Sequence, residues 1–229
     1  MNTITSAILA VGIAIGGFFI GNGIITFKKL DRVVEVKGLS ERVVDANEAI
    51  WYLTFNSASD NMSDLNKKIS DIQKSTLQFL EEEGFSKEEI QKDAGNITDK
   101  EAQEYGERKG ARYVARGGFV ITSKKIDKLV SASQKTDMLL SRGVALSGSR
   151  ISYFFTDLNA IKPQMLEEAT KNARAAAQSF AANAGAKVGD IKNASQGQFS
   201  IGSPISDYES ESSLKKKIRV VSQVIFYLE

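Results

Sequence analysis

The chain has 229 residues, 42% apolar and 25% charged, with a net charge of +2. That is enough for one large domain or two small ones, and too little positive charge to imply a nucleic-acid partner. It contains no cysteine and no histidine, which excludes disulfides, thiolate metal sites, cysteine nucleophiles, a Ser-His-Asp triad and paired zinc-binding histidines.

All 30 Lys and Arg and all 28 Asp and Glu lie after residue 27. Residues 4–27, ITSAILAVGIAIGGFFIGNGIITF, are uncharged. As a helix rising about 1.5 Å per residue they reach roughly 36 Å, enough to cross a bilayer core. Lys28 and Lys29 close the run. A cleaved leader has a basic start, a shorter apolar stretch and a small-x-small cleavage site. The basic start is missing here and the run is too long, so residues 1–29 are expected to form an uncleaved transmembrane anchor in contact with membrane lipid. Gly12/Gly16 and Gly17/Gly21 are spaced to let two membrane helices approach closely, against the background that glycine is common in such helices. By the positive-inside rule, Lys28, Lys29 and Arg32 would hold the following chain in the cytoplasm.

Residues 32–38 alternate around Val34 and Val36 and predict a short strand. The run Gly38-Leu39-Ser40-Glu41-Arg42 then reads as a turn. It departs from a nucleophile elbow, Gly-x-Ser-x-Gly, at its fifth residue, and no histidine exists to activate Ser40. Residues 47–59 predict a longer strand, with Ala49, Trp51, Leu53 and Phe55 on one face. Asn61-Met62-Ser63 offers helix caps, Leu65, Ile69, Ile72 and Leu80 follow at helical spacing, and Gly84 is the stop. Ser86 to Glu89 matches a capping box for one further turn.

Residues 92–104 and 111–122 predict two strands joined around YGERKG, with Gly106 and Gly110 suited to the turn. A single helix is predicted over 124–141, ending at Gly143, and an aromatic, β-branched strand over 149–156. The third helix, 160–184, carries Pro163 in its first turn and the i,i+4 pair Glu167–Lys171. Ala169, Ala173, Ala177 and Ala181 make a smooth stripe on which another surface can pack closely, and Gly185 is the stop. Residues 202–217 predict a solvated loop. The last strand, 217–228, places Ile218, Val220, Val224, Phe226 and Leu228 on one face. The order strand-strand-helix-strand-strand-helix-strand-helix-strand-strand implies an α+β domain over 30–229 with sheets covered by helices, built as two interleaved subdomains or as one.

Other constellations carry plain readings. Arg108, Lys109, Arg112 and Arg116 with Tyr105 and Tyr113 have the composition of a nucleic-acid patch, but Glu101, Glu104 and Glu107 spoil its field, so a solvated hairpin is expected. Glu81, Glu82, Glu83, Glu88 and Glu89 read as a charged helix end. Asp207, Glu209 and Glu211 lack the glycine and spacing of a calcium loop. No phosphate-binding or dinucleotide fingerprint is present. No catalytic, cofactor or metal residues are assigned.

VEVKGLSERVVDANEAIWYLTF, the block at 151–191 and RVVSQVIFYL at 219–228 resemble, in order and spacing, the SIMPL-domain family, most closely its membrane-anchored members. Val44 departs from the pattern, standing where many members have Pro. The resemblance implies an exported bacterial protein of the cell envelope, with the folded domain in the periplasm. It supplies no established enzymatic activity or cofactor and no catalytic residues. It also implies a structural or stress-related role and assembly into a large homo-oligomer, a ring or a cage. An envelope binding module for a ligand or partner protein is the alternative, and a histidine-free hydrolase the third reading.

Overall fold

A computed structural model describes residues 3–30, 32–102, 110–206 and 209–229, and within the first helix the side chains of residues 10–24. The expected mixed α+β class holds: helices combine with two sheets, and every strand pair whose register is defined runs antiparallel. The chain divides into two compact units, each assembled from separated segments. One comprises Met1–Arg42, Asn159–Ser200 and Ile218–Glu229; the other comprises Val43–Leu158 and Ile201–Lys217.

The first unit opens with α1 (Thr3–Leu30). Among the described residues no helix is long and apolar enough to cross a membrane. The uncharged run 4–27 extends past the described side chains of α1 at both ends. The unit's sheet has the order β1 (Val33–Asp45), β8 (Lys215–Leu228), β6 (Val188–Gln196), with β7 (Ser200–Gly202) also on β8. Val36, Gly38 and Ser40 alternate inward along β1. Ile218, Val220, Val224 and Phe226 do the same along β8, the period of two that the sequence displays.

The covering helix is α5 (Leu158–Asn183), which buries Met165, Ala169, Ala173, Ala177 and Ala181. Residues four apart form one ridge of a helix, and methyl side chains let that ridge lie close to its neighbour. Ala173 and Ala177 pack with Val36, Val224 and Phe226. The closeness shows at Gly38: a Cβ there would lie 2.5 Å from the Ala173 amide nitrogen and 2.8 Å from the Ala173 Cβ, and nearer still to the Ala169 carbonyl oxygen.

The second unit is a four-stranded sheet of order β3 (Ile90–Asp99), β4 (Tyr113–Ser123), β2 (Glu48–Ser59), β5 (Leu146–Phe154). Trp51 stands opposite Ile121 on one side and Ile151 on the other, and Leu53 opposite Phe119. The inward residues Ala49, Trp51, Leu53 and Phe55 form the core with Phe79, Leu80, Leu129 and Leu139. Those partners come from α2 (Met62–Glu82), α3 (Ile126–Ser133) and α4 (Asp137–Ser141). Asn61 caps α2, its Oδ1 accepting from the Ser63 N–H at 2.8 Å and the Asp64 N–H at 3.4 Å. Gly84, Gly143 and Gly185 all take positive φ, the left-handed conformation that ends helices and favours glycine.

Five expectations need correction. β1 runs unbroken from Val33 to Asp45, so Ser40 sits in mid-strand and not in a turn. The helix expected over 124–141 is interrupted between Ser133 and Asp137. There the Ser133 hydroxyl donates to the Val130 carbonyl at 2.7 Å and the Thr136 hydroxyl to the Ser133 carbonyl at 3.1 Å, local bonds that compete with helix continuation. α5 begins at Leu158, which places Pro163 in its second turn instead of its first. Three strands follow α5, not two, and β6 is polar and wholly without an apolar alternation after Gly189. It is a strand because β8 supplies the partner, from Val188 opposite Leu228 to Gln196 opposite Ser222. Finally, the segment read as a solvated loop is tied down at several points described below.

Candidate functional site

Gly12, Gly16, Gly17 and Gly21, the predicted packing positions, lie in α1 with nothing within 4 Å of where a Cβ would stand. The apolar side chains around them point outward on every side: Val11, Ile13, Ile15, Phe18, Phe19 and Ile20 are all exposed, Phe19 by 69%. The alanine stripe differs. It was expected to offer a face for close packing, and that face is occupied by the unit's own sheet, with all four alanines buried.

Ser40 belongs to a polar cluster that the sequence did not reveal. Its side chain points at α5, where the hydroxyl donates to Glu168 Oε2 at 2.8 Å. Arg42, two residues on and therefore on the same face of β1, donates to Glu168 Oε1 and, at 2.9 Å, to Gln164 Oε1. The Arg42 guanidinium first, and then the Ser40 hydroxyl, hold the Glu168 carboxyl below the usual glutamate range. A carboxylate so stabilised is a weaker base, and Ser40 is only 3% exposed. The arrangement ties β1 to α5.

The Glu168 carboxyl has a lowered folded pKa, so the stability it contributes is present above the unfolded glutamate pKa and lost as pH falls through the folded value. Glu168→Gln is expected to unfold at lower urea than wild type at neutral pH, with the gap closing in acid. A gap that stays constant from neutral pH into acid sinks the assignment.

The acidic helix end is dispersed into separate pairs. Glu82 meets Arg142, and Glu83 meets Lys135 at 2.7 Å. Glu89 accepts from the Ser123 hydroxyl at 2.6 Å and its Oε2 from the Ser86 N–H at 3.0 Å, half of the expected capping box. Among the described residues no group of three or more acidic side chains is placed to hold a metal ion. Glu104, Tyr105, Gly106, Glu107, Arg108, Lys109 and Asp207 lie outside the described residues. Of the remaining basic hairpin residues, Arg112 is committed to Asp99 and Glu101.

Lys216 is a second surprise, being only 2% exposed. Its ammonium donates to the main-chain carbonyls of Ser210 and Glu211, and burial pulls it below the ordinary lysine range against the pull of Glu211. The Glu211 carbonyl accepts from the Tyr153 N–H at 2.7 Å, and its carboxylate from the Ser152 hydroxyl at 3.3 Å. These bonds fix the end of the segment that its Ser-rich, charged composition marks as solvated.

Of the concavities on the second unit, two border β3. One, of about 620 Å³, gathers Thr54, Asn56, Asp93, Asn96, Arg116 and Ser147 beside glycines. Those glycines, Gly95 and Gly117, serve internal close approaches: a Cβ on Gly117 would meet the Phe55 ring, and on Gly95 the Arg116 carbonyl. The other, of about 490 Å³, lies between α2 and β3, with Leu77, Ile90 and Phe119 at its base and Lys74, Lys87 and Lys92 around it. Sequence reasoning missed it because its lysines are separated along the chain and only the packing of α2 beside β3 collects them.

A family model, SIMPL, described as a protein of unknown function (DUF541), matches residues 34–224. Comparison with curated proteins found no match.

Proposed function

The chain belongs to the SIMPL family, and from that premise we propose that it is a non-enzymatic cell-envelope protein that residues 4–27 anchor in a bacterial inner membrane. In this reading the folded domain lies on the periplasmic side and copies assemble through the anchor into a large homo-oligomer. The observation that carries it is α1, whose described side chains are uncharged and, Asn22 apart, apolar, with Val11, Ile13, Ile15, Phe18, Phe19, Ile20 and Ile24 all exposed. A helix apolar on all sides needs either a protein core or a bilayer around it. Gly12, Gly16, Gly17 and Gly21 leave room along it for a second helix. The absence of histidine and cysteine from the chain supports the non-enzymatic part.

The test is the mass of the full chain in mild detergent by light scattering, beside the double variant Gly16→Ile/Gly17→Ile. Wild type is expected to be large and uniform, and the variant to fall to smaller species, because bulky side chains hold membrane helices apart. A monomeric wild type would defeat the assembly reading. Protease protection in sealed vesicles checks which side the domain occupies. A second reading, a domain that also binds a partner, is favoured by the lysine-rimmed groove between α2 and β3.

A further inference from the structure

The groove between α2 and β3 has the parts of a strand-receiving site. Ser70, Gln73, Lys74 and Leu77 line it from α2, the i, i+3, i+4, i+7 positions that share one flank of a helix. Ile90 and Lys92 line it from β3, two residues apart and so on one face of the strand. Phe119, directly opposite Lys92 in the β3–β4 register, completes the base.

β3 is an edge of its sheet, with β4 on one side only. The Thr122 N–H donates to the Glu89 carbonyl at 2.9 Å. In an antiparallel pair bonded and non-bonded positions alternate, so Gln91 and Asp93 face β4 and the main-chain N–H and C=O of Lys92 are directed to the open edge. The register slips between Asp93 and Asn96, which ends the flat part of the edge there.

Charge decides the occupant. Lys74, Lys87 and Lys92 surround the apolar base, and no carboxylate lines the groove. Unlike Lys135 and Lys215, which are paired with acids, these three form no ion pair with another described residue, and Lys87 is only the weakest of the influences on the adjacent Glu88 carboxyl. Three cations match a partner with several negative charges, and an open strand edge matches a main chain.

We infer that this groove receives an extended, acidic segment of another protein, which adds to β3 as a further strand. Main-chain bonds to Lys92 would supply register, apolar side chains would cover Leu77, Ile90 and Phe119, and acidic ones would meet the three lysines.

The experiment uses the full chain in neutral-lipid nanodiscs and a fluorescein-labelled heptapeptide, Val-Ser-Glu-Ser-Val-Ser-Glu, which places valine and glutamate on the same face of an added strand, with binding read by anisotropy. Saturable binding is expected, weakening with added salt and by at least about tenfold in Lys74→Glu/Lys92→Glu. Lys37→Glu, a charge change in the other unit, is the control and should leave binding unchanged. Circular dichroism confirms that each variant stays folded. A peptide methylated on alternate backbone nitrogens, unable to pair with a strand edge, should lose binding. The inference is overturned by no binding up to about 1 mM, by equal binding to the double variant, or by equal binding of the methylated peptide. Displacement by dodecanoate together with equal binding of the methylated peptide would assign the groove to single-chain anions instead.

Discussion

Gly38→Ala is expected to destabilise the protein by about 3 kcal/mol or to prevent the first unit from folding. The alanine Cβ would stand 2.5 Å from the Ala173 amide nitrogen and closer to the Ala169 carbonyl oxygen. These are main-chain atoms of a helix, which no rotamer change can move. Relief requires α5 to lift from β1, and lifting it exposes Ala173 and Ala177 and opens gaps beside Val36, Val224 and Phe226. Two further ties would stretch with it, the Ser40–Glu168 bond and the Arg42 pair. Urea unfolding of the full chain, followed by circular dichroism, gives the number. A loss below about 0.5 kcal/mol, the level of an ordinary surface substitution, would show that α5 does not approach β1 as closely as described.

Trp51→Ala should cost about 4 kcal/mol, the range for truncating a large aromatic in a core. Trp51 is fully buried in the centre of β2, flanked by β4 and β5, and its ring faces Phe85 at 6.4 Å between centroids. Its indole N–H donates to the Ser149 hydroxyl at 2.9 Å, so truncation leaves a cavity and also strands a polar partner. Trp51→Phe should cost less, because most of the volume is retained. Trp51 is the chain's one tryptophan, so wild-type fluorescence follows the second unit, and unfolding of the two variants is read by circular dichroism. Equal losses for both would mean that the indole bond, not the packing, dominates.

Much of this architecture is legible in the residues alone. The alternation Ala49, Trp51, Leu53, Phe55 predicts both strand β2 and the face it buries, and it does so because a strand's side chains alternate whatever lies beyond them. The same holds for Val220, Val224 and Phe226 in β8. Asn61 and the positive-φ glycines Gly84, Gly143 and Gly185 mark helix ends through local bonding and local sterics, which neighbouring sequence contains in full. The family resemblance rests on the same blocks, and the match over 34–224 bears it out.

Other features depend on groups far apart in the chain. Ser40 reads as a turn residue because Gly38 precedes it, yet Gly38 is there so that α5, more than a hundred positions later, can lie against β1. The alanine stripe announces close packing but not its partner. β6 has no strand pattern of its own and exists through its pairing with β8. Lys216 gives no sign in KKK that one ammonium is buried on main-chain carbonyls. By itself the sequence determines the uncharged N-terminal run, the strand and helix periods and the caps, all set by interactions within a few residues. Which surfaces meet, which small residue answers which, and which lysines gather at one groove were decided only by tertiary structure, because close packing and charge act between neighbours in space.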